Sequence, residues 1–160
     1  MKRTRMLLLF VTVTLLLSLV LVSAALAQGN DRNFTASLQG RNEVPANDSK
    51  AAGQAIVHFS KDGDSLTYKL IAANIEDVFA AHIHCGEVGV NGPVGVTLFG
   101  GSTISPNGLF AQATVTEPNA GNACGWTTIE DVRTAILSGG AYVNVHTTAI
   151  PGGEIRGQLD

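Results

Sequence analysis

Charge is scarce in this chain, and basic charge scarcest of all. Only 14% of its 160 residues are Asp, Glu, Lys or Arg, and the 10 basic residues are outnumbered by 13 acidic ones. Three of the basic residues, Lys2, Arg3 and Arg5, crowd the first five positions, so residues 28–160 hold seven against thirteen, a formal charge of −6. Phosphate recognition needs clustered Lys and Arg, and no such stripe exists, so a nucleic-acid partner is excluded. Aromatic residues make up 6%. The Gly-x-Ser-x-Gly elbow, the phosphate-binding Walker loop and the dinucleotide fingerprint are all missing, which leaves the common hydrolase, nucleotide and dehydrogenase chemistries without a foothold.

An apolar run without a charge follows the basic start, over residues 6–26, and Ala25-Leu26-Ala27 places small residues where signal peptidase reads them. This order predicts a secretory signal peptide over 1–27, cut before Gln28, and a domain over 28–160. The run is also long enough to span a bilayer, so an uncleaved N-terminal anchor is the alternative, and the only route by which a membrane enters. Either way the domain is expected to be secreted or extracytoplasmic, in the periplasm or at a cell surface. Its two cysteines, Cys85 and Cys124, are an isolated pair that an oxidising compartment turns into a disulfide. Closing a loop of about 40 residues is worth roughly 4 kcal/mol in the chain-entropy picture. Free thiols serving a metal or redox role are the competing reading.

Short apolar stretches recur between Gly, Asn, Asp and Pro clusters, the pattern of an all-β domain. Leu66, Tyr68 and Leu70 alternate with Thr67 and Lys69, and Ala55, Val57 and Phe59 alternate with Ile56 and His58. Lys61-Asp62-Gly63-Asp64 between them tolerates the positive φ of a hairpin turn. Further strands are expected at 34–38, 78–85, 93–99, 108–116, 141–147 and 154–159. Near 128–138 the period changes: Thr128 is placed to cap a short helix whose Ile129, Val132, Ala135 and Ile136 share a face, with Gly139-Gly140 ending it.

Three histidines carry the chemistry on offer. His82 and His84 are two apart in an expected strand, so both leave the same face, while Ile83 and Cys85 leave the other. Tyr142, Asn144 and His146 share a face of the penultimate strand, opposite Val143 and Val145. With valines and Ile83 in the core, the three imidazoles point outward onto a wet face, and neighbouring strands would let them converge beside Glu154 and Arg156. That donor set suits copper or zinc with one coordination position open. The alternative is a polar outer face whose histidines bind Asn144, Glu154 or water. His58 is expected to be a plain exposed strand residue, and Glu76-Asp77 a solvated loop. Cys85 and His84 point to opposite faces and cannot act as nucleophile and base.

Ala81-His82-Ile83-His84-Cys85-Gly86, continuing through Gly89 and Asn91-Gly92-Pro93-Val94, resembles the central motif of the CHRD (chordin) domain family. Tyr142-Val143-Asn144-Val145-His146-Thr147, then Pro151-Gly152-Gly153-Glu154-Ile155-Arg156-Gly157-Gln158-Leu159, is similar to that family's closing motif, and Glu43-Val44-Pro45 and Leu66-Thr67-Tyr68 also fit. The resemblance implies an immunoglobulin-like, superoxide-dismutase-like Greek-key β-sandwich or barrel, of about seven to nine strands here, with one short helix. In chordin such domains belong to a secreted protein that binds bone morphogenetic proteins. This implies a non-catalytic, exported binding module with an extracellular macromolecule as ligand. A mononuclear copper or zinc protein, or a redox-related one, is the second expectation, and a structural envelope domain the third. Three ligand histidines are too few for a dismutase's two-metal site, so dismutase activity is not expected.

Overall fold

The period-two patterns become eight strands in the computed structural model, which describes residues 31–160. The expected leader over 1–27 lies outside the described residues. The strands are β1 (Asn33–Gln39), β2 (Ala52–Phe59), β3 (Leu66–Ala73), β4 (Val78–Cys85), β5 (Val94–Ile104), β6 (Gly108–Val115), β7 (Ala141–Thr147) and β8 (Ile155–Gln158). One helix, α1 (Ile129–Leu137), and a 3-10 turn (Gly40–Asn42) complete the described elements. The fold is therefore all-β with one short helix, as the sequence suggests.

All eight strands join one antiparallel sheet in the order β5-β4-β7-β8-β1-β2-β3-β6. The sheet curls until its edges approach. Phe99 of β5 meets Phe110 of β6 edge to face at 5.6 Å, and the Tyr68 hydroxyl of β3 donates to the Leu98 carbonyl of β5. Curling encloses the apolar face of every strand but β6, whose side chains are half-buried or exposed: Phe34, Leu38, Val57, Phe59, Leu66, Leu70, Ile83, Val96, Leu98, Val143, Val145 and Ile155 are all buried. Each such side chain contributes about 1.5–3 kcal/mol when fully removed from water. Phe34 and Phe59 close one end edge to face, with centroids 5.7 Å apart.

Local chemistry fixes the connections. Gly63 takes φ +79° in the β2–β3 turn, and Phe59 pairs with Leu66 on either side of it. Thr128 caps α1: its hydroxyl accepts from the Asp131 N–H at 3.2 Å, and the Asp131 carboxylate accepts from the Thr128 N–H at 2.8 Å. Ile129, Val132 and Ile136 turn into the core. Cys85 and Cys124 are bonded, their Cα atoms 5.7 Å apart, tying the last residue of β4 to the loop before α1. One strand departs from expectation. β5 runs on past Phe99 through Gly100-Gly101 to Ile104, because pairing with β4 continues, with shifts in register, from Ala80↔Gly100 to Val78↔Ile104. Glycines that read as a strand end are here part of an edge.

Candidate metal centre

β4 and β7 are sequence-distant but adjacent, and their register decides the site. Ile83 pairs with Val143 and both are buried in the core, so the even-numbered residues of both strands share the opposite face. His82 faces Asn144 across the pair and His84 faces Tyr142. His146 pairs with Ala80, two residues along from His82, which makes the two imidazoles diagonal neighbours.

The three rings converge. Centroids lie 4.9 Å apart for His82 and His146, 5.5 Å for His82 and His84, and 6.1 Å for His84 and His146. One nitrogen from each ring falls in a group spanning no more than 4.8 Å. Imidazole nitrogens bound at about 2.1 Å to one tetrahedral ion stand about 3.4 Å apart. Side-chain adjustments of about 1 Å would bring this triangle to that size. The closest pair, His82 Nδ1 and His146 Nε2, is already at 3.1 Å.

Two backbone carbonyls fix which nitrogen is free. His84 Nδ1 lies 2.9 Å from the Gly92 carbonyl oxygen, and His146 Nδ1 lies 2.9 Å from that of Pro151. A carbonyl only accepts, so both Nδ1 atoms carry the proton and both Nε2 atoms keep a lone pair. His82 Nδ1–H then donates to His146 Nε2. Moving the His82 proton to its own Nε2 turns the third lone pair to the same point, with no net proton lost. Burial lowers the pKa of all three imidazoles; for His82 burial comes first, the charges of His146 and His84 follow, and the value falls to about 4. Neutral imidazole is the ligating form.

The face is not wet. His84, His146, Asn144, Arg156 and Glu154 are all buried, and His82 is half-buried. Loops cover the outer face that strand alternation leaves open. The 86–92 loop brings its Gly92 carbonyl to His84, and the turn after β7 brings Pro151 to His146. Gly92 permits this because a Cβ there would sit 1.5 Å from the Cys85 carbonyl oxygen. Arg156, 2% exposed, holds the loop from below. It donates to Asn91 Oδ1 at 3.1 Å and to the carbonyls of Glu87 and Val90 at 3.2 and 2.8 Å. Tyr142, on the strand between, stacks on His84 at 4.9 Å and carries the Arg156 guanidinium 3.4 Å from its ring centre.

Of the residues singled out by sequence, His82, His84, His146, Asn144 and Arg156 come together. Glu154 does not join the imidazoles: its two carboxylate oxygens accept from Ser49 and Thr147 hydroxyls, each at 2.6 Å. It ties a loop and a turn. His58, exposed as expected, has a partner in Asn33 Oδ1 at 2.6 Å. Sequence reasoning missed Glu43. It is 6% exposed, and burial raises its pKa to about 7 against the lowering effects of Arg156 and the Val44 backbone. A Cβ on Gly153 would lie 2.4 Å from Glu43 Oε1 and 2.8 Å from Asn144 Nδ2, so the two side chains border the same small space. Three buried polar atoms in this region have no hydrogen-bond partner: Glu43 Oε1, Asn144 Oδ1 and His84 Nε2.

A CHRD domain family model matches residues 34–159, which covers every strand but the first residue of β1. No curated protein and no solved structure matches the chain.

Proposed function

The chain belongs to the CHRD domain family, and from that premise we propose that it is an extracytoplasmic domain that binds one copper or zinc ion. His84 and His146 would ligate through Nε2, and His82 through Nδ1. One observation carries this reading: two carbonyls hold the Nδ1–H tautomers of His84 and His146, so both Nε2 atoms carry lone pairs in the cluster, and a proton shift within His82 supplies the third. Such outer hydrogen bonds orient and strengthen imidazole ligands. Three neutral donors leave a coordination position open, and the donor type favours copper over zinc on affinity alone. The reading is of binding, not turnover, and the Cys85–Cys124 bond fits the oxidising compartment that the expected leader would reach. Calorimetric titration of purified untagged protein with Cu(II) and Zn(II) tests it. One ion per chain at micromolar concentration or tighter is expected, lost in His82→Ala/His84→Ala; no heat from the wild type sinks the reading.

A second reading, an extracellular macromolecule as ligand, has one specific observation behind it. Val88 and Val90, 78% and 51% exposed, project from the loop that Arg156 pins, and pinned apolar side chains bind at little entropic cost. A partner captured from the native medium should be released by Val88→Asp/Val90→Asp. Undiminished capture by that variant removes the loop from consideration.

A further inference from the structure

Three neutral imidazoles would leave a bound cation's charge unbalanced in a buried place, and the nearest cation of the protein makes the imbalance worse. Arg156 is 2% exposed and only the Tyr142 ring separates it from His84. A buried charge without a counter-charge is strongly disfavoured. Glu154 already has both oxygens engaged by hydroxyls. Glu43 differs: it is 6% exposed, and Oε1 accepts from nothing.

The unpartnered atoms share one character. Glu43 Oε1 is an acceptor once the carboxyl is ionised, Asn144 Oδ1 is one by constitution, and His84 Nε2 is one because its Nδ1–H is committed to Gly92. With Glu43 ionised these buried atoms form a region of negative potential, and a cation there favours that ionisation. Asn144 connects the two parts. It pairs with His82 across β4 and β7, and it borders the space left by Gly153 that Glu43 Oε1 also borders. Gly153 keeps that space open.

We propose that Glu43 is the anionic partner of the ion at His82, His84 and His146, positioned beside it through Asn144, and that it selects a divalent over a monovalent cation. The inference rests on the metal-binding reading. Glu43 is a positioning and specificity-determining residue, not a ligand. Its role is to place a buried carboxylate, which the Arg156 charge already helps to ionise, beside an ion that carries two positive charges. Carbonyl and carboxylate partners outside the ligand shell change metal affinity by about 10- to 100-fold.

The test compares Zn(II) with Ag(I), a monovalent probe that imidazoles accept, by competition titration of wild type, Glu43→Gln and Asp48→Asn. At pH 8, above the Glu43 pKa of about 7, the Gln variant keeps the shape of Glu43 and deletes its charge, and Asp48→Asn makes the same charge change on an exposed residue of the same loop. Glu43→Gln should weaken Zn(II) about tenfold or more while Ag(I) binding changes much less, with Asp48→Asn like wild type for both ions. Equal loss of both ions would mark a merely structural role and overturn the proposal. So would unchanged Zn(II) affinity, or the same shift in Asp48→Asn. A wild type that binds neither ion overturns the metal reading itself, and a wild type that binds with a Gln variant to match overturns only the role of Glu43. Should Glu43→Gln fold poorly, Glu43→Asp, which keeps the charge, must keep the preference for Zn(II) over Ag(I), and its loss overturns the proposal.

Discussion

At the scale of single residues, Glu43 and the histidines pull the stability of the metal-free domain in opposite directions with pH. Glu43 holds its proton up to about pH 7 when folded and about 4.5 when unfolded. Its contribution is therefore complete below pH 4.5 and lost as pH rises through 7. His82 is depressed to about 4 from 6.5, so its contribution is complete above pH 6.5 and lost as pH falls towards 4. Glu43→Gln removes the first effect alone. Relative to wild type, the metal-free variant should gain stability between pH 5 and pH 8, by up to about 3 kcal/mol. Urea denaturation at the two pH values measures this, and a pH-independent difference would show that the carboxyl is solvated. Strand parity puts the three imidazoles on outward faces, and so made them candidates; their convergence needed the sheet order. The burial of Glu43 could not. A glutamate between Asn42 and Pro45 in a polar loop has no period to betray which way it points.

Among the elements, the 86–92 loop matters most to the site. Its Gly92 carbonyl fixes the tautomer of His84, and its backbone runs so close to β4 that no side chain fits at 92. Gly92→Ala should displace the loop and release the His84 ring. Zinc affinity would fall about tenfold or more, with the far hairpin of β2 and β3 unaffected. Wild-type affinity in this variant would mean that the carbonyl contact does not organise the ligand. Strand positions and the helix were readable because each rests on local rules: alternation, the Asp62-Gly63 turn, the Thr128 cap. The extension of β5 was not, since Gly100 and Gly101 stay in the sheet only through pairing with β4. Nor was the cover over the imidazoles. The outer face of β4 and β7 looks open from parity, and only the loops that Arg156 and Glu154 hold down make it dry.

For the molecule as a whole, the decisive fact is sheet order. His82 and His146 lie far apart along the chain, and their meeting depends on β7 lying between β4 and β8. Alternation within strands says which faces are apolar; it does not say which strands are neighbours. The family resemblance gave the Greek-key class and one continuous domain, and the register of β4 on β7 supplies the convergence. The acidic balance of residues 28–160 adds a long-range field that draws cations towards the domain. The account's central claim is that His84 and His146 present Nε2, and His82 Nδ1, to a single ion. Long-range nitrogen–proton correlation spectra of the histidine rings test it directly, without metal and with one equivalent of zinc. Before zinc, His84 and His146 should show protonated Nδ1. Afterwards their Nε2 signals and the Nδ1 of His82 should shift together, with His58 unchanged. Protonated Nε2 in the metal-free protein, or zinc shifts confined to His58, would contradict it.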